Sequence, residues 1–115
     1  MAESLREKQS RFVVQTNKLV ACALAQGYEL TYGDAYRDHR VHGPLGVKMG
    51  YGHRNSGHKN RLAIDFNLFL GGKWLDKTAD FEPLGIYWKT LSDDARWGGD
   101  FGDGNHFSFE HNGVK

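Results

Sequence analysis

The chain has one cysteine and two prolines in 115 residues, and no apolar run near the ~20 residues a membrane span needs. A single thiol excludes an internal disulfide, and Cys22, set in a helical pattern, is expected to be buried and inert. Charge of one sign is missing too. Fifteen Lys and Arg face fourteen acids for a net charge of +1. They form no basic block, which argues against a nucleic-acid partner and against binding or insertion into an anionic membrane. The opening "MAESLREKQSR" is charged and no apolar segment of signal-peptide length follows it, so synthesis in the cytoplasm is expected.

The chain is rich in glycine, with fifteen of them pointing to many tight turns. Its length suits a single domain over residues 1–115 with one core. Ser4 followed by Glu7 reads as a capping box opening a helix from about Ser4 to Gln26. Phe12, Val13, Leu19, Val20, Ala23 and Leu24 recur near a 3.6 period, and Gly27 is a natural stop. A strand is predicted from about Glu29 to Gly33. Residues 38–57 hold five glycines and three histidines without sustained periodicity, the pattern of a long, functional loop.

From Arg61 the pattern alternates, with Leu62, Ile64, Phe66 and Leu68 on the core face and Arg61, Ala63, Asp65 and Asn67 on the other. "LFLGGKWL" predicts a hairpin turning at Gly71 and Gly72. A helix from about Phe81 to Leu91 places Pro83 in its first turn, with Leu84, Trp88 and Leu91 on one face. A last strand sends Phe107 and Phe109 into the core and leaves His106 on the polar face. This order predicts an α+β fold, a small antiparallel sheet with flanking helices.

Two polar strand positions, Asp65 and His106, converge if their strands are neighbours. His58 lies an odd seven residues before Asp65, so only a turn between them brings it to the same face. With that turn, two imidazoles and a carboxylate make a three-ligand site suited to zinc, with the fourth position left for water, which implies metal-assisted hydrolysis. Asp103, three residues before His106 in a glycine-flanked turn, is the candidate general base; Glu110, on the polar face of the same strand, competes with it.

"SGHKNRLAID" resembles the Ser-x-His-x-x-Gly-x-Ala-x-Asp motif of the zinc D-Ala-D-Ala carboxypeptidase and L-Ala-D-Glu endopeptidase family, whose fold is of the hedgehog/DD-peptidase kind. Ser56, His58, Ala63 and Asp65 match, while Arg61 stands at the family glycine. "WGGDFGDGNHF" is similar to the second motif, an acid three positions before the last histidine ligand. The resemblance implies His58, Asp65 and His106 as ligands of Zn2+ and Asp103 as catalytic acid/base. It implies Arg37 as a residue that contacts substrate or stabilises developing negative charge. It also implies a single-domain, endolysin-like phage or prophage enzyme acting on the peptide stem of peptidoglycan after release from the host cytoplasm.

Plainer readings exist for each residue. His58 could cap a turn with a nearby carboxylate, His106 could be a satisfied strand histidine, and Asp103 could be a solvated turn residue. Arg37 could pair with Asp34 or Asp38. Ser56, a candidate substrate-binding residue, suits a loop hydrogen bond better than nucleophilic attack, since no base is placed beside it. His39, His42 and His53 read as solvated loop residues, and Trp74, Trp88 and Trp97 as core or cleft walls. The expectation is a monomeric zinc peptidase of cell-wall stem peptides. D-Ala-D-Ala carboxypeptidase or dipeptidase activity is the alternative within the class, and a non-catalytic cell-wall-binding or assembly module the alternative outside it.

Overall fold

In the computed structural model of the chain, residues 3–33 and 60–114 are described. Ser4 and Glu7 start the first helix by satisfying each other: the Glu7 amide donates to Ser4 Oγ at 3.1 Å and the Ser4 amide to Glu7 Oε1 at 3.0 Å. The helix, α1, runs Leu5–Ala25 and ends where Gly27 turns the chain with φ of 91°. Its buried stripe is Phe12, Gln15, Thr16, Leu19 and Ala23. Val13 and Leu24, predicted on that stripe, are exposed, because each lies about 100° around the helix from Phe12 and Ala23. Cys22, on the edge of the stripe, is half-buried rather than buried.

Among the described residues five strands form an antiparallel sheet, four of them in the order β1 (Glu29–Tyr32), β2 (Ala63–Leu70), β5 (His106–Phe109), β4 (Ala95–Trp97). β3 (Lys73–Leu75) pairs with the end of β2 through the predicted hairpin, where Gly71 and Gly72 have φ of 59° and 80°, the left-handed values a two-residue turn demands. β4 was not apparent in the sequence, being only three residues long, too short for a period to show. β3 and β5 thus share one edge of β2, β5 along its start and β3 along its end, with a notch between them at Phe66 and Asn67.

The second helix, α2, spans Thr78–Lys89, three residues earlier than expected, because the Asp80 carboxylate accepts the Lys77 amide at 3.1 Å and fixes the start. Pro83 therefore sits in the second turn. Helices and sheet close over one core: Ile64, Phe66, Leu68, Phe107 and Phe109 from the sheet meet Phe12 and Leu19 of α1 and Leu84 and Trp88 of α2. The Phe12 ring stands edge-on to Phe109 at 5.0 Å, and Trp88, fully buried, donates its indole N–H to the Ser108 carbonyl at 3.2 Å. Among the described residues no helix is long and apolar enough to cross a membrane.

Polar contacts tie α1 to the ends of the strands that matter most. Gln9 donates to the Asn60 carbonyl at 2.8 Å, just ahead of β2, and Lys8 to the Glu110 carbonyl, just beyond β5. Arg11 grips Asp94 with two hydrogen bonds, 3.0 and 2.7 Å.

Candidate functional site

The register of the sheet puts Asp65 directly opposite His106, with Ala63 opposite Ser108 on the same face. Asp65 Oδ1 and His106 Nδ1 lie 3.1 Å apart. Both residues are buried, at 8% and 6% exposure. This corrects the expectation of a half-buried strand with a solvated polar face. The backbone of Gly33 crosses close to Asp65 and donates its N–H to the Asp65 carbonyl at 2.8 Å, and the Phe101 ring stands edge-on to His106 at 5.9 Å. A side chain at Gly33 would press on Asp65, its Cβ 3.1 Å from the Asp65 Cβ.

The turn before His106 is built by the Trp-Gly-Gly segment. After β4 the chain makes a short 3-10 turn, Gly98–Phe101, and reverses at Gly102 with φ of 84°. The Asp103 amide then donates to the Gly98 carbonyl at 2.7 Å, and the His106 amide to the Asp103 carbonyl at 3.1 Å. Gly98 has to be glycine, since a Cβ there would overlap the Asp103 carbonyl and crowd His106. The Trp97 indole is packed so tightly against Gly85 and Gly99 that neither position has room for a Cβ. Its N–H donates to the Gly104 carbonyl at 2.7 Å inside the protein. Trp97 thus holds the far side of the turn that presents Asp103, whose side chain is exposed.

Sequence reasoning placed Trp97 only as a wall; its positioning role has no signal in spacing, because it depends on which carbonyl the indole meets. Glu110, the competing base, is engaged elsewhere: it lies past the far end of β5 with Arg96 Nη2 3.3 Å from its Oε1. Ser108 shares the face of His106, fully buried, and its hydroxyl has no hydrogen-bond partner among the described residues.

The structure therefore brings Asp65 and His106 together and sets Asp103 on the turn leading into His106. His58, Ser56 and Arg37 lie outside the described residues, as do His39, His42 and His53. Among the described residues no group of three ligating side chains occurs. The pair that is described has suitable chemistry, an imidazole nitrogen and a carboxylate oxygen. Two donors on a tetrahedral zinc would stand roughly 3.3 Å apart at the usual bond lengths, close to the 3.1 Å seen, a separation that equally suits a hydrogen bond.

Beside the pair, the notch between β3 and β5 opens into a groove of about 190 Å³, to which Asp103 and Asn67 both contribute. No family model and no curated protein matches the chain.

Proposed function

We propose that the chain is a zinc-dependent peptidase of bacterial cell-wall stem peptides, an L-Ala-D-Glu endopeptidase with a fold of the hedgehog/DD-peptidase kind. The observation that carries the reading is the cross-strand pair: Asp65 and His106, one residue from each motif and 41 positions apart in sequence, are register partners whose donor atoms meet at 3.1 Å. Asp65, His106 and His58 would hold the metal. Zinc held there would supply a water of pKa lowered toward 7 and a Lewis acid for a substrate carbonyl.

The chain's own residues do the rest. The strand pair fixes two ligands on rigid backbone, so little reorganisation is needed when substrate arrives. Asp103, solvent-facing on a turn tied at both ends by backbone hydrogen bonds, takes the proton of the attacking water on its carboxylate and returns it to the leaving amine. Arg37 would serve developing negative charge on the carbonyl oxygen.

The test is metal analysis joined to digestion of purified sacculi. Asp103→Ala should retain zinc and lose at least ~100-fold in hydrolysis, the usual worth of a general base; a variant that digests sacculi at the parental rate would end the assignment. Mass spectrometry of the digest identifies the bond: new L-Ala carboxyl ends mark the endopeptidase, released D-Ala the carboxypeptidase.

A further inference from the structure

The notch on the edge of β2 exists because β3 stops at Leu75 and β5 begins only at His106, leaving Phe66 and Asn67, which pair with β1 on their other side, without a strand on this edge. Its two walls are kept close by Gly104, where a Cβ would collide with the backbone of Thr78 at the start of α2. Phe66, Leu75 and Phe81 supply apolar lining, and no lysine or arginine is among the described residues that line the groove.

The polar groups around it are weighted towards acceptors. Asp76 is exposed, and among the described residues neither its carboxylate nor the side chains of Thr78 and Asn105 have a hydrogen-bond or ion-pair partner. The Asn67 amide nitrogen is directed to Thr31 Oγ1 at 3.2 Å and the Tyr32 carbonyl at 3.5 Å, which leaves its oxygen as an acceptor. Trp74, 58% exposed, adds an aromatic ring. Asp103 lines the same groove, so its occupant would be continuous with whatever reacts there.

Acceptors, a carboxylate without a counter-ion, an aromatic ring and an apolar lining together suit one chemical group: a primary ammonium on a short aliphatic chain. An ammonium has three donors and no acceptor, its methylenes can pack on the apolar lining, and its charge can lie over an indole. Five heavy atoms at the ~20–30 Å³ each takes in a condensed phase need roughly 100–150 Å³, within the 190 Å³ present. We infer that the groove between β3 and β5 is a specificity subsite that receives the side-chain amine of the dibasic residue of a stem peptide, with Asp76 as its counter-charge. The inference rests on the peptidase reading and names which part of the substrate lies beside Asp103.

The test uses the zinc-loaded full chain and two synthetic stem peptides ending in lysine, one with the side-chain amine unmodified and one with it acetylated. They are compared as substrates and, separately, as ligands in a titration of tryptophan fluorescence. The parental chain should prefer the unmodified amine ~3- to 10-fold in kcat/KM, through KM, as expected of one partly solvated charge pair. In Asp76→Asn, which disturbs no internal hydrogen bond, that ratio should fall towards one. Equal constants for the two peptides in the parental chain, or a preference that Asp76→Asn leaves intact, would overturn the subsite while leaving the peptidase standing. If neither peptide is cleaved, the peptidase reading fails, and the titration alone decides: an amine preference abolished by Asp76→Asn upholds the subsite, and equal binding overturns it.

Discussion

Arg61 has φ of 56°, in the left-handed region, at the turn between Asn60 and the first residues of β2. A residue with a Cβ is disfavoured there by about 1–2 kcal/mol, whereas glycine pays only its larger loss of chain entropy, about 0.5–1 kcal/mol. This is the position where the resembled motif has glycine, so the motif's preference follows from backbone geometry. Replacing Arg61 by Ala and by Gly separates this effect from everything the arginine side chain touches, since both variants delete that side chain and only Ala keeps the Cβ. Gly should be the more stable of the two by about 1 kcal/mol. With an unfolding entropy of about 2.1 cal/mol/K per residue, that difference is about 4 °C in Tm for a chain of this length. Thermal and urea unfolding followed by circular dichroism would measure it. An alanine variant as stable as the glycine variant would refute the argument, because it would mean that the turn relaxes out of the left-handed region at no cost.

Asp94 is held at a pKa of about 2, chiefly by its hydrogen bonds from Arg11 and further by Ser92. Its folded value lies below the unfolded ~3.9, so its contribution is present above pH ~4 and lost as the pH falls through about 2. On the order of 1–2 kcal/mol of acid-dependent stability should disappear in Asp94→Asn, measured as the difference between the two urea midpoints at pH 6 and pH 2.5. Trp97→Phe keeps most of the ring but leaves the Gly104 carbonyl without its donor; it should cost about 1–3 kcal/mol and lower kcat with zinc content unchanged, whereas a loss of stability alone would deny Trp97 a positioning role. Gly98→Ala forces a methyl into the Asp103 carbonyl; a loss of about 1–3 kcal/mol is expected from overpacking, and a crystal structure with the Asp103 turn unmoved would contradict it.

What could be read from the sequence was whatever repeats along the chain. The capping box at Ser4 and Glu7, the glycine hairpin and the alternation of β2 and β5 each carry a local signal, and each is found where that signal puts it. The opposition of Asp65 and His106 was legible only as a possibility, since alternation gives the face of a residue but not the register between strands 41 residues apart. Burial of that pair was not legible, because the residues packed near it, Gly33 and Phe101 among them, take positions that depend on the assembled sheet. The short β4 and the Trp97 indole bond were hidden for the same reason: three residues make no period, and a hydrogen bond to the Gly104 carbonyl exists only once the turn has closed.

The contacts of α1 have a consequence for how the chain acquires its shape as it is made. Lys8, Gln9 and Arg11 leave the ribosome well before their partners Glu110, Asn60 and Asp94, which come up to 102 residues later. β5, the strand that bears His106 and lies between β2 and β4, follows the other described strands in the chain. The first helix therefore completes its contacts only once β5 and Glu110 have emerged, and closure of such distant contacts is slow. A nascent chain stalled before residue 106 should remain open to protease, becoming resistant only when β5 is released; resistance at the earlier length would show that the sheet can form without β5.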